Sequence, residues 1–295
     1  VTLSMSSASG QQAQSPTLPK LPQRVARVGD KPNMSGIWQA ANEAHWDLEA
    51  HAARPGMITQ PGVYPFEYAR VPAAPVVALG AAAGVPGSLG VVQDDGVIPY
   101  KPEALALKKQ YAADPLHEDA EVKCYLPGVP RVMYMPYPLQ IVQSDAVMLV
   151  MSEFASAQRT IYMNGKDPAP ADTWMGWSNG RWEGDTLVID STGFMGSTVG
   201  ALDPEGSIHV RFLDRAGNYH TDGLHVVERI RKTDRDHLLY EATIEDPNVY
   251  TRPWTIRMPL YRRVEPDIQL GEFKCEEFVS DLIYGKYQKA PARGR

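Results

Sequence analysis

The sequence predicts a mainly β fold, an antiparallel barrel or sandwich wound as a meander, with an N-terminal helical and Pro/Gly-rich loop insertion. About eight short β-type runs follow one another at regular spacing after residue 124, and turn residues separate them. The longest runs also alternate strictly. In HLLYEATIE, Leu238, Tyr240, Ala242 and Ile244 interleave with Leu239, Glu241, Thr243 and Glu245, so one face is wholly apolar. Trp254, Ile256, Met258 and Leu260 repeat the pattern in WTIRMPLYR.

The first 33 residues read differently. VTLSMSSASGQQAQSPTLPKLPQ is rich in Ser, Gln and Pro and has no hydrophobic period, so residues 1–33 are expected to be a disordered or extended linker. A chain opening on Val1 with such a segment is expected of an exported, processed protein, periplasmic or secreted. Residues 34–295 then form a single β-rich domain, with 34–123 as helix and loop cover and 124–285 as an antiparallel β core. MSGIW, at 34–38, enters as a strand. QAANEAHWDLEAHAAR is rich in helix formers until Pro55-Gly56 stops it, which predicts a helix. Residues 55–100 fit neither a period of 3.6 nor one of 2, and are expected to form an ordered loop system, a lid or a wall. Pro102 in a first turn, followed by Ala104, Leu105, Leu107 and Tyr111, predicts a second helix.

In the β core, PLQIVQ and AVMLVMSEF flank the Ser144-Asp145 turn, and QRTIYM runs into Asn164-Gly165, a hairpin signal. WMGWSNGRW passes through Glu183-Gly184-Asp185 into TLVIDSTGF. LHVVERIRK and HLLYEATIED are joined by Thr233–Asp236, and WTIRMPLYRR and IQLGEFKC complete the set.

At 295 residues and 43% apolar content, the chain can bury a full core. Its 29 basic and 35 acidic residues form no basic stripe, which argues against nucleic acid as a partner. No apolar run approaches the roughly 20 residues of a membrane-spanning helix. Cys124 and Cys275 lack the spacing of a zinc site. Paired, they would close a loop of about 150 residues, worth roughly 5 kcal/mol on chain entropy. An oxidising compartment favours that bridge over two buried thiols.

The pieces WDLEAHAARPG, KCYLPGVPR, MPYPLQIVQ, RTIYMNG, WMGWSNGRWEGDTLVID, HTDGLHVVERI, ATIEDPNVYTRPW and EFKCEEF resemble a broad family of uncharacterised exported bacterial proteins. The resemblance spans nearly everything after residue 34. It implies export and a β-barrel-like body, with no assigned reaction. Gly36-Ile37-Trp38 is in addition distantly similar to the first strand of lipocalin-type barrels.

Chemistry is expected first at Tyr219-His220-Thr221-Asp222-Gly223-Leu224-His225. His220 and Asp222 share a face in extended chain, and a bulge at Gly223 would turn His225 towards them. A carboxylate beside an imidazole suits general acid–base work. The same three residues, His220, Asp222 and His225, could instead ligate a divalent metal. A plain strand start, with Asp and Thr satisfying backbone groups, is the competing reading. On the expected first helix, Asp47 and His51 lie four apart and form a second dyad, with a solvated salt-bridged helix as its alternative.

Arg131 and Arg159 are candidates for stabilising a developing oxyanion. Glu153 is expected to pair with Arg159 across a hairpin, while Arg231, Arg262 and Arg263 read as solvated strand edges. Tyr137, Trp174 and Trp177, with Tyr134, Trp182 and Trp254, could line a ligand site or fill the core. No GxSxG elbow, Walker loop or GxGxxG occurs, so no organic cofactor is expected. Together these features favour a cofactor-independent lyase, isomerase or hydrolase for a partly apolar or aromatic small molecule. A lipocalin-like carrier, or an assembly subunit making homo-oligomeric contacts, are the alternatives.

Overall fold

The computed structural model describes residues 26–59, 68–71, 84–113, 119, 121, 125–196 and 211–273. Nine strands close into one barrel. In chain order they are β1 (Gly36–Ala40), β2 (Leu139–Gln143), β3 (Val147–Ser152), β4 (Gln158–Met163), β5 (Trp177–Glu183), β6 (Thr186–Thr192), β7 (His225–Lys232), β8 (His237–Glu245) and β9 (Trp254–Arg262). Each pairs with its successor, and β9 returns to β1 through Leu260↔Ala40 and Arg262↔Trp38.

The expected mainly β barrel is therefore present, but it is mixed rather than purely antiparallel. Strands of alternating direction can form a ring only in even numbers, so nine require one parallel joint. That joint is β4–β5, with Ser178↔Ile161 and Gly180↔Met163. Asn164-Gly165 accordingly ends β4 without making a hairpin. Asn164, at φ 58°, donates its amide to Gly180 O at 2.6 Å, and the chain then crosses back through 166–176 to start β5. Parallel neighbours need such a crossover of a dozen or so residues. Gly180 is required at the joint, since a Cβ there would lie 2.6 Å from Ile161 Cγ2 and 2.8 Å from Met163 Sδ.

The alternating runs point as the sequence indicated: Leu238, Tyr240, Ala242 and Ile244 of β8 are buried, as are Trp254, Ile256, Met258 and Leu260 of β9. With Leu139, Ile141, Met148, Val150, Leu187 and Ile189 they pack the barrel interior. Fully burying each large apolar side chain contributes about 1.5–3 kcal/mol. One polar island interrupts this packing. Arg159 Nε donates to Ser178 Oγ at 2.9 Å, its Nη2 donates to Ser191 Oγ at 2.8 Å, and both Nη groups donate to the Glu228 carboxylate. Tyr240 OH donates to Glu228 Oε1 at 2.9 Å and completes the set.

One end of the barrel is plugged by Trp38. Its Nε1 donates to Met34 O, while Arg262 and Lys232 carry their charges to 5.6 and 5.5 Å from its ring centroid. Arg262 is thus a partner of the plug and not a solvated edge. Gly36, at φ 149°, admits that guanidinium, which lies 3.2 Å from where a Cβ would stand. Just outside, Arg27–Val28 and Lys31–Pro32 form a small ladder, and Arg27 is paired with Asp185 at the β5–β6 turn. The described part of the expected linker, 26–33, is therefore ordered.

The other end is covered by the insertions between β1 and β2 and between β6 and β7. Residues 91–93 continue the sheet along β9 where β1 has stopped, through Gln93 N→Thr255 O and Arg257 N→Val91 O. The helix α1 (Pro102–Tyr111) begins at proline as expected. The helix expected over 39–54 is not formed. Asn42 and Asp47 turn the chain by accepting from the amides of Ala44 and Glu49, two residues on. Asp214 takes the Leu48 amide, so local side-chain bonds override helix propensity. In the expected irregular stretch, Arg54–Thr59 pairs with Tyr68–Val71 and Gly84–Val85 in a three-stranded sheet. No strand forms over Ile268–Phe273, the described part of IQLGEFKC.

Removing one partner from a buried pair strands the other charge in the interior, at about 3–5 kcal/mol. Arg159→Met is expected to lose that much stability in urea unfolding, and Arg159→Met with Glu228→Leu to regain part of it. Equal stability of the single variant and the wild type would refute the pair's role.

Candidate functional site

A short antiparallel ladder, Arg211–Phe212 against Tyr219–His220, stands over the covered end of the barrel. Alternation divides its side chains. Phe212 and Tyr219 face α1, where Tyr111 lies 5.6 and 5.3 Å from their rings. Arg211 and His220, directly opposite each other in register, face the other way. The connecting turn is locked by Asp214, which accepts from the amides of Ala216 and Asn218 and from Asn218 Nδ2. Burial and the neighbouring Asp47 push the Asp214 carboxyl up to about 7.

The face bearing Arg211 and His220 is walled by two other segments. Phe194 lies 6.0 Å from the His220 ring, and Trp174 lies beneath Arg211, whose guanidinium carbon is 3.1 Å from the ring centroid. Thr173 N→Gly193 O and Met195 N→Thr173 O fasten these walls together. Tyr125, 41% exposed, meets Trp174 edge-on at 5.1 Å and carries the cluster out to solvent.

His220 is 3% exposed, and its Nδ1 lies 2.8 Å from Thr221 O. A carbonyl only accepts, so Nδ1 holds the proton and Nε2 keeps its lone pair. Burial, with Arg211 contributing, pushes the imidazole down to about 4. Thr221 is itself fixed by Asp246, which accepts from its amide at 2.6 Å and from its hydroxyl. Arg211 is 5% exposed. Its Nε makes a long 3.4 Å contact with Met195 O, and its Nη1 is buried with no partner. Burial pulls it down to about 10, and among the described residues no carboxylate pairs with it. A buried ion lacking a counter-charge costs several kcal/mol.

The expected site assembles only in part. His220 and Trp174 come together, but Asp222 is exposed and does not hold the imidazole; the Thr221 carbonyl does. His225 faces the outside of the barrel, 3.1 Å from Asp190 and 3.6 Å from Glu245, because β7 begins there and reverses its side. The three are not gathered as ligands, and among the described residues no group of three His, Cys, Asp or Glu side chains forms a metal site. His51 bonds the carbonyl of Ala52, while Asp47 pairs with Arg54 at 3.4 Å. With the helix absent, that dyad does not exist.

Arg131 is clasped by Asp119 and Glu121 at 2.7 and 2.6 Å. Arg159 is saturated inside the barrel, and Glu153 instead accepts from the Gly271 amide on the outside. Tyr137 packs on Phe154 and Phe273, and Trp177 stacks on Tyr162 at 4.2 Å over the parallel joint, both apart from His220. Tyr134 is core, its hydroxyl donating to Leu213 O. Cys124 and Cys275 lie outside the described residues.

Arg211 was not singled out from the sequence. Its signal is a lone cation in the apolar run His209-Val210-Arg211-Phe212-Leu213. On the ladder's other face, Glu103, Leu107, Tyr111, Tyr219, Thr221 and Asn248 border a pocket of about 310 Å³. Compared with protein-family models, curated proteins and solved structures, the chain finds no match.

His220 titrates near 6.5 when unfolded and near 4 when folded. Between those values the unfolded chain binds more protons, so stability rises with pH and is lost as pH falls through the window. His45, buried and pushed down to about 3, acts in the same direction. His220→Gln is expected to flatten the slope of unfolding free energy there by about 1.4 kcal/mol per pH unit. Urea titrations across the window check this; an unchanged slope would mean the folded ring is not held neutral.

Proposed function

We propose that this chain is an exported enzyme that carries out cofactor-independent acid–base chemistry on a small, partly aromatic substrate, as a lyase, isomerase or hydrolase. The observation that carries the reading is the buried His220, tied at Nδ1 to the Thr221 carbonyl, opposite a buried guanidinium whose Nη1 has no partner and which no carboxylate among the described residues neutralises. His220 Nε2 takes a proton from a substrate carbon or from water. Arg211 stabilises the negative charge that builds on a substrate oxygen, and Trp174 holds the substrate body. As the ring becomes an imidazolium, its Nδ1–H bond to Thr221 O strengthens, so orientation and basicity share one contact. The imidazole is a weak base while Arg211 is unneutralised, and negative charge at Arg211 strengthens it.

A binding protein is the second reading, favoured by the tyrosine-floored pocket on the other side of the ladder. Packing of the barrel interior argues against a ligand held inside the barrel in lipocalin fashion.

The test is a panel of aryl-substituted carbonyl compounds and esters, followed by NMR in deuterium oxide. Deuterium incorporation or hydrolysis by the wild type should fall by about 10²–10⁴-fold in His220→Gln, with the β-sheet circular dichroism unchanged. Undiminished turnover in that variant would remove His220 from the reaction.

A further inference from the structure

Three other guanidiniums among the described residues, Arg131 and Arg159 buried and Arg215 part-buried, supply an internal comparison. Arg131 is clasped by Asp119 and Glu121, Arg159 by Glu228, and Arg215, which lies over Trp46, by Glu121. Each of these guanidiniums is thus met by a carboxylate, whereas the buried Lys232 ammonium is met by the Asn33 carbonyl and the Trp38 ring. Arg211 is buried too, and among the described residues no carboxylate pairs with it. Its contact with Trp174 engages a flat face of the guanidinium, which leaves the in-plane N–H fork for an acceptor. No protein acceptor meets the buried Nη1.

We infer that the site takes an organic monoanion, a planar carboxylate with an aromatic or apolar body, its carboxylate on the Arg211 fork and its body along Trp174. Two oxygens in one plane match the fork as a bidentate pair. An apolar body suits the wall of Trp174 and Phe194. The charge balance favours a monoanion, since Arg211 is the cation facing this side of the ladder and His220 opposite it is neutral, with a lone pair at Nε2. A doubly charged phosphate would leave one charge uncompensated. The inference names the substrate class of the site proposed above and rests on that placement, but not on catalysis there.

Equilibrium binding tests it without turnover. Benzoate is the probe, with benzamide as its neutral isostere, acetate to remove the ring, and inorganic sulfate as a bare anion. Calorimetry and ligand-observed NMR on the full chain should show saturable benzoate binding, tighter than acetate and at least about tenfold tighter than benzamide. Arg211→Gln should weaken benzoate by at least about tenfold. Arg211→Lys, which keeps the charge and loses the fork, should also weaken it, and it serves if the glutamine variant does not fold. His220→Gln should retain benzoate. Benzoate should raise the unfolding temperature of the wild type and not that of Arg211→Gln.

Sulfate binding without benzoate binding would overturn the substrate class. Equal benzoate affinity in the wild type and both arginine variants would overturn the site. If benzoate binds through Arg211 while His220→Gln leaves turnover unchanged, the catalytic reading fails and the anion site stands.

Discussion

An odd number of strands must close with one parallel joint, and much of the candidate site follows from where that joint falls. β4 ends at the barrel end plugged by Trp38, and β5 must start at the opposite end to run beside it. Residues 164–176 make that return, and their last turn delivers Trp174 to the covered end. There Thr173 meets Gly193 and Met195 at the exit of β6, while the ladder carrying Arg211 and His220 precedes the entry of β7. Three segments distant in sequence converge because closure leaves their strand ends adjacent. Substituting at Gly180 would disturb the joint that sets all of this in place.

Polar groups in the interior divide into two kinds. Arg159, Asp214 and Asp246 are met by complementary partners, and Arg131 by two carboxylates although its Nε has none, so desolvation is offset by hydrogen bonds and opposite charge. Arg211 Nη1 is not met in this way. An unmet cation on a well-packed wall lowers stability, and such departures from local consistency mark functional sites more often than structural ones. The ladder tolerates that burden because its other face is anchored by Tyr111, Tyr219 and Tyr250. Tyr250 OH donates to Tyr219 O at 2.6 Å.

Legibility in the sequence varied with the range of the forces involved. Alternation in β8 and β9 was readable because a half-buried strand needs a period of two, whatever its partners are. Proline at the start of α1 was readable for the same local reason. The helix expected over 39–54 was lost to a distant residue, Asp214, which captures the Leu48 amide from 166 positions away. Propensity carries no information about such a competitor. Asn164-Gly165 kept its local turn geometry and lost its hairpin meaning, since pairing was set by ring closure. His220 stands out in the sequence because it shares an extended-chain face with a carboxylate. Its partner was misassigned to Asp222 because parity assumes that the strand continues, and here it stops after two residues.

By itself the amino-acid sequence determined a mainly β body, the inward faces of its longest strands, the helix behind Pro102 and His220 and Trp174 as candidate site residues. These depend on contacts within a few residues or on the water-to-core transfer of each side chain. Only the tertiary structure decided that the barrel is mixed, that Arg131 and Arg159 are neutralised, and that Arg211 stands opposite His220 with no carboxylate among the described residues to neutralise it. A cation's partners come from whichever segments packing brings within reach, and that is a property of closure rather than of any local pattern.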